Sequence, residues 1–455
     1  MSLESSKRRG SAAATQGQRS STTARRVSLS TQQFLSTVLQ ALTPQRAVQP
    51  SAGVVLGERH LIPSAAYAQH IRSCLRLTYR KNMPALEPYS WTSDSGWGCM
   101  VRAAQMLLAN AYRVELFGQG WRVGTGLEGD SSLLRSNREY TQLVQWFLDF
   151  PSFPHIYSLH HFCCTAQLYD KLPGEWMGPH TASLVLRDLV RLHRTKYRGS
   201  LTCVVAEGGV VCMDECEAAA SSDPEAGEQG QTAARTAASL SIAAARRASD
   251  DAGYDPLLNP PPATPLSSVH AGWSCSLLLL IPLRLGADSI AAHHWQELSE
   301  VFASPLSVGM LGGTPRFAQY FLGSCALPSP LPGDSSSKAG LIGIDPHTIE
   351  SAYSSAAPEF PSPELLRSLH AGEVSYTELG RIDPQVSLGF LFKSRDEFLH
   401  WADAHMNLAA AGRGGGGGGG SGGLFSVTRY APAADLSPLV SDPADTDSDD
   451  EYVII

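Results

Sequence analysis

Asp94-Ser95-Gly96-Trp97-Gly98-Cys99 runs directly into Cys99–Val114, a stretch rich in Ala, Leu and Met that contains neither Gly nor Pro. Apolar residues occupy nearly every side of its 3.6-residue period, so it reads as a helix buried in a core. Two glycines bring the backbone sharply to the helix start, and Thr92, Ser93, Asp94 and Ser95 offer caps just before it. A thiol in the first turn feels the positive end of the helix dipole, which favours thiolate. Free amides there can also bind an oxyanion. Taken alone, Cys99 has a plainer reading as a buried structural cysteine, because such residues are commoner than nucleophiles.

A cysteine nucleophile needs a base, and the base needs an orienting group. Working outward, Leu277–Leu283, Gly340–Ile344 and Val386–Phe392 read as buried strands. The order is a helix first and a sheet later, an α+β arrangement. Asp345-Pro346-His347 follows the second strand directly. Residues i and i+2 of a strand share a face, and the proline between them marks a strand end. Asp345 and His347 are therefore candidates for orienter and base. By spacing alone, a turn carrying an exposed histidine is the commoner outcome.

Composition narrows the classes. The chain has 455 residues, 43% hydrophobic and 17% charged, with a formal net charge of -8. No extended basic stripe runs through the apolar regions, which argues against a nucleic-acid partner. Nine cysteines, at 74, 99, 163, 164, 203, 212, 216, 275 and 325, are odd in number and irregularly spaced. That pattern fits thiols in a reducing compartment better than a disulfide scaffold. Cys212 and Cys216 have no second ligand pair at zinc-like spacing, so no metal is expected. No cofactor is expected either. The longest strongly apolar run, Ser276–Leu283, is far short of the roughly 20 residues that span a bilayer.

The chain divides into five stretches. Residues 1–50 form a basic tail rich in Ser, Thr and Ala, similar in composition to a transit peptide but read as disordered. Residues 51–213 look folded and carry Cys99. Residues 214–265 turn to Ala, Ser, Glu, Gly and Pro and read as a low-complexity insertion. Folded character returns over 266–407 with Asp345 and His347. Residues 408–455 hold a glycine run, Gly414–Gly420, and an acidic tail ending Tyr452-Val453-Ile454-Ile455.

Six blocks in order carry a family resemblance. They are Thr78-Tyr79-Arg80-Lys81-Asn82-Met83-Pro84 with Thr92–Arg102, then Gly174-Glu175-Trp176-Met177-Gly178-Pro179, then Pro282-Leu283-Arg284-Leu285-Gly286. They continue with Gly312-Gly313-Thr314-Pro315 and Tyr320-Phe321, then Ile344–Thr348, then Asp383–Phe390. Spread over about residues 52–405, these blocks resemble the autophagins, the autophagy cysteine proteases that act on ubiquitin-like modifiers.

The resemblance implies a papain-like α+β fold with a short auxiliary subdomain, expected within 115–200. It implies Cys99 as nucleophile, His347 as its acid–base partner, Asp345 as orienter, and Tyr79 acting with the Cys99 amide as an oxyanion hole. It implies that Trp176 and Pro315 flank a narrow groove for a glycine tail. It implies that Gly312–Arg316, with the hinge pair Gly312 and Gly313, form a loop covering the site. Thr314, Arg316 and Leu86–Trp91 depart from the commoner family pattern. Tyr452 and Ile455, behind acids, resemble a short modifier-interacting motif that adds as a strand to a sheet edge.

The implied reaction cuts a modifier precursor after its glycine and releases the modifier from phosphatidylethanolamine. The autophagic membrane would be met only through that substrate, and the location would be cytoplasmic. Two other readings use the same residues: a non-catalytic modifier-binding scaffold, and a broader ubiquitin-like protease.

Overall fold

In a computed structural model, the described residues are 49–123, 138–222, 272–329, 336–353, 363–412 and 423–430. The expected N-terminal tail up to residue 48, most of the 214–265 insertion, the glycine run, Tyr452 and Ile455 lie outside them.

The core is a nine-stranded sheet. Its main path runs β12 (Ser375–Glu378), β10 (Ser337–Ile344), β9 (Phe317–Pro328), β8 (Ser307–Thr314), β13 (Gln385–Phe392), β7 (Ser276–Arg284) and β5 (Leu201–Val205). A hairpin of β1 (Ala52–Val55) and β2 (Glu58–Leu61) joins through β1 to the second half of β9. Every pairing is antiparallel except β5 with β7.

Both faces of this sheet are covered, which is why its strands read as unbroken apolar runs. In β7, Leu278 and Leu280 enter one core cluster, whereas Leu277, Leu279 and Ile281 enter the other. The first face carries α2 (Cys99–Phe117), packed on β8 and β9, and α5 (Pro179–Tyr197), packed on β5, β7 and β13. Helices α3 (Arg138–Trp146) and α4 (Leu159–Ala166) pack behind α2. The other face carries α6 (Met213–Ser221), α7 (Trp295–Ala303) and α9 (Arg395–Gly412).

The buried helix read from Cys99–Val114 extends three residues further, and all of Cys99–Val114 is buried. The strands read at 277–283, 340–344 and 386–392 are the cores of β7, β10 and β13. Among the described residues of the 115–200 stretch, α5 belongs to the main layers, α3 packs on α2, and α4 packs on α2 and α5. A separate three-stranded sheet, β11 (Ile349–Ser351), β3 (Tyr79–Leu86) and β4 (Trp91–Ser93), borders the site.

Two boundaries differ from expectation, and part of the C-terminal stretch returns to the fold. The insertion does not begin at 214: Met213, Cys216 and Ala220 of α6 are buried, so its small residues pack instead of looping out. The C-terminal linker does not begin at 408, because α9 runs to Gly412. Beyond the glycine run, Leu424 is buried and β14 (Ser426–Thr428) pairs in parallel with β6 (Val210–Cys212). The expected side-chain caps also fail. The N-cap is Gly98 with no side-chain hydrogen bond, and Asp94 is used elsewhere.

Candidate active site

Cys99 is the first residue of α2 and is completely buried. With no side chain capping the helix, its first amides remain directed at whatever lies beyond the N-terminus. Gly98 is required here: a Cβ would come within 2.4 Å of the Asp94 carboxylate.

β10 ends at Ile344, and the next three residues turn across the mouth of the helix. The Asp345 carboxylate accepts from the backbone N–H of His347 at 2.9 Å and contacts His347 Nδ1 at 2.5 Å. This short double contact fixes the ring and directs Nε2 inward. Nε2 is buried and makes no hydrogen bond within the described residues. The group it interacts with is the Cys99 thiol. Such contacts are commonly loose in a free enzyme and tighten with substrate.

Parallel pairing of β11 with β3 puts Ile349 opposite Tyr79, and the Tyr79 N–H donates to the Pro346 carbonyl at 3.0 Å. The Tyr79 ring thus stands edge-on to His347, with centroids 5.4 Å apart, and its hydroxyl is close enough to Cys99 for the two groups to affect each other's ionisation. Phe317, at the start of β9, covers the imidazole from another side at 5.1 Å.

The electrostatics follow from these contacts. Burial would push the Cys99 thiol up, but the hydrogen bond and charge of His347, the Ala318 backbone and the Tyr79 hydroxyl outweigh it and hold the thiol below its usual value. For His347 burial works downward, yet Asp345 and Cys99 raise it to about 9. Asp345 is pushed up by burial and more strongly down by His347, with help from Arg76. The Tyr79 hydroxyl is held well above its usual value by burial, then by Cys99 and the carboxylates of Asp94 and Asp345. It stays protonated and able to donate. The arrangement therefore supports a thiolate–imidazolium pair beside a neutral phenol donor.

A cleft beside the thiol is lined by Met100, Trp176, Pro179, Gly312, Gly313, Thr314, Ala318, Asp383 and Gln385. Its free space is only about 10 Å³, no more than one water needs. Trp176 stands 44% exposed on its rim, just before α5. The expected covering loop is a β-hairpin: Gly312 and Gly313 lie in β8, opposite Gln319 and Ala318, and Pro315 is at the exposed tip. Gly313 permits this closeness, since a Cβ there would meet the Phe317 carbonyl at 2.1 Å. A larger cavity of about 640 Å³ lies between the β1–β2 hairpin and β9–β10, away from this chemistry.

The structure brings Cys99, His347, Asp345 and Tyr79 into one cluster, and Trp176, Gly312 and Gly313 into the adjoining cleft. Sequence reasoning missed Phe317, the Ala318 backbone, Arg76, and the buried charges of Asp94, Arg102 and Asp149. Arg102 was the visible signal, a cation inside a helix apolar on all sides.

One group among the described residues has metal-ligand types: Glu58, His60 and His70. His60 Nε2 and His70 Nδ1 are 3.0 Å apart, and Arg122 contacts Glu58 at 2.5 Å. Burial, then Arg122 and Arg113, press His70 down to about 2. His70 Nε2 is left without a hydrogen-bond partner among the described residues, and a dication held here would have to face both arginines.

A buried helix bearing a cysteine thiol, set against a sheet whose rim supplies Asp and His, defines a papain-like thiol hydrolase. The comparisons specify the class. A model of the peptidase C54 catalytic domain matches residues 64–404, well over half of the chain. The chain belongs to this family and is a cysteine protease, as its resemblance to the autophagy cysteine proteases led one to expect. Cysteine protease ATG4B of Xenopus laevis is 29% identical over 364 residues, covering 79% of this chain and 80% of that relative. Cysteine protease ATG4A of Gallus gallus is 28% identical over 350 residues, covering 76% and 80%. Cysteine protease ATG4A of Homo sapiens is 28% identical over 355 residues, covering 76% of each.

Proposed function

We propose that this protease cuts a ubiquitin-like autophagy modifier after its C-terminal glycine, both in the extended precursor and in the phosphatidylethanolamine conjugate. The observation that carries the reading is the cleft of about 10 Å³ beside Cys99, walled by Trp176 and the glycines of β8. The cleft as it stands admits no peptide; with the β8–β9 hairpin moved aside, Trp176 and the β8 glycines would wall a groove that favours a segment without side chains, such as a glycine tail. Cys99 attacks the glycine carbonyl. The Cys99 amide and the Tyr79 hydroxyl stabilise the oxyanion. His347, held by Asp345, protonates the leaving amine and then takes a proton from the water that releases the acyl group. Cleavage of a peptide bond and of the lipid amide are the same chemistry, differing only in the leaving amine. The membrane is met through the lipidated substrate, and the tail residues Tyr452 and Ile455 provide a second hold on the modifier. A cytoplasmic location accords with nine free thiols.

The test is cleavage of a C-terminally extended modifier by purified protein under reducing conditions, beside Cys99→Ala, with a vesicle-bound conjugate assayed separately. Cleavage after glycine by the wild type alone supports the reading. Equal cleavage of tails with bulky residues near the glycine would favour a broader ubiquitin-like protease. Binding without cleavage would favour a scaffold.

A further inference from the structure

Asp94 makes no hydrogen bond to His347 in the structure, yet it is tied to both elements that would carry the oxyanion donors. Oδ1 accepts the N–H of Arg80, the residue after Tyr79, at 2.7 Å. Its own N–H donates to the Arg80 carbonyl at 3.3 Å, and its carbonyl accepts from Gly98 at 2.9 Å and Trp97 at 3.3 Å. Oδ2 accepts from Arg102 Nε, one turn into α2, at 2.7 Å. Arg102 in turn reaches Asp149 at 2.9 Å and Gln105 at 3.2 Å. Asp94, Arg102 and Asp149 are all essentially unexposed.

Two arguments indicate that this carboxylate acts through geometry. First, a buried ion triad is a poor stabiliser, since apolar residues of similar volume commonly serve a fold as well or better. Second, its charge has the wrong sign for the reaction: an anion below the helix start opposes a thiolate and an oxyanion. Arg102 offsets that charge without removing it. What the triad does provide is a fixed distance. The carboxylate is wedged against Gly98, where a Cβ would approach to 2.4 Å, and bonded to the residue beside Tyr79.

We infer that Asp94, held in place by Arg102, is a positioning residue that sets the spacing between the Tyr79 hydroxyl and the Cys99 amide, the two donors of the oxyanion site. This rests on the proposed role of Tyr79 and Cys99 as those donors. A donor displaced by about an ångström costs on the order of 100-fold in rate, so removing the clamp lowers turnover without removing a single group that touches substrate.

The experiment compares full-length wild type, Asp94→Asn, Tyr79→Phe and the double variant on the extended modifier. Rates are expressed per intact site, counted by mass spectrometry of the Cys99 peptide after iodoacetamide labelling. The pH midpoint of that labelling is measured in parallel. Asparagine keeps the acceptor for Arg80 but turns an amide toward Arg102. The expected result is a kcat about 10–100-fold lower with KM within about threefold. The labelling midpoint stays or moves down, because a negative charge has been removed. The double variant is little worse than Tyr79→Phe, because both changes disable one site.

A kcat per site within about twofold of wild type, a labelling midpoint that rises, or losses that multiply would each overturn the inference. Loss in Tyr79→Phe but not in Asp94→Asn removes the inference alone. No loss in Tyr79→Phe removes the oxyanion reading beneath it. If Asp94→Asn does not fold, Arg102→Lys, which keeps the charge but not the fork, is read by the same criteria.

Discussion

In the proposed reaction His347 has to be charged while the thiol beside it ionises, and its neighbours would then set the pH range of activity. Because His347 titrates near 9 and Cys99 below its usual range, kcat/KM should rise as the thiol ionises and fall as pH passes about 9. A pH–rate profile checks this; a basic limb near 6–7 would contradict it. In Asp345→Asn the main support for the imidazolium is gone, so the basic limb should move downward and kcat should fall by roughly 10²–10⁴-fold. The same shifts are stability statements. His347 binds its proton more tightly folded than unfolded, so its contribution is complete below its unfolded pKa of about 6.5 and disappears as pH rises through about 9. Asp345 acts oppositely: its contribution holds above the unfolded value of about 3.9 and is lost toward acid. Tyr79→Phe removes one donor and should lower kcat by about 10²–10³-fold with little change in KM. At this scale no single residue's chemistry was enough: Cys99 alone read as a buried structural cysteine and His347 as a turn histidine, and the six ordered blocks singled them out. The sequence was silent on Phe317 and the Ala318 backbone, which reach the thiol and the imidazole only because β8 and β9 fold back as a hairpin.

At the scale of elements, that hairpin is what stands between the buried Cys99 and a substrate in the proposed reaction. Its strand residues Gly312, Gly313, Thr314 and Ala318 wall the cleft, and its position depends on Gly313 lying against the Phe317 carbonyl. In Gly313→Ala the two strands cannot keep this register. Iodoacetamide should then label Cys99 faster than in wild type, while kcat/KM for the modifier falls. Slower labelling would show that the hairpin does not shield the site. The nucleophile helix was legible because all its residues from Cys99 to Val114 are buried and its apolar pattern is continuous. Its start at Cys99 was read correctly, but its capping was not. Ser and Asp before a helix ordinarily cap it, but here Asp94 bonds across to Arg80 and Arg102. No local signal marks that choice, since Arg102 and Asp149 are 47 residues apart in sequence.

On the scale of the molecule, the sheet is assembled from both sides of the 223–271 stretch, and the last described strand, β14, returns to β6. The return was hidden because a glycine run separates it from the rest, and composition cannot show that Phe425 stacks on Trp401 and His405. A chain ending after Tyr430 should melt with the full-length protein. One ending at Gly412 exposes the Leu424 and Phe425 contacts and should lose about 2–4 kcal/mol by denaturant titration. The two edges of the 223–271 stretch are already joined: the Ser274 hydroxyl donates to the carbonyls of Ala220 and Ser222, and Arg194 bonds Ser274. Closing a loop costs only about 0.6 kcal/mol more for each doubling of its length. The nucleophile lies on one side of this junction and its base and orienter on the other. A chain cut there would yield two fragments, neither holding a whole reaction centre, whose reunion could be read out as restored proteolysis.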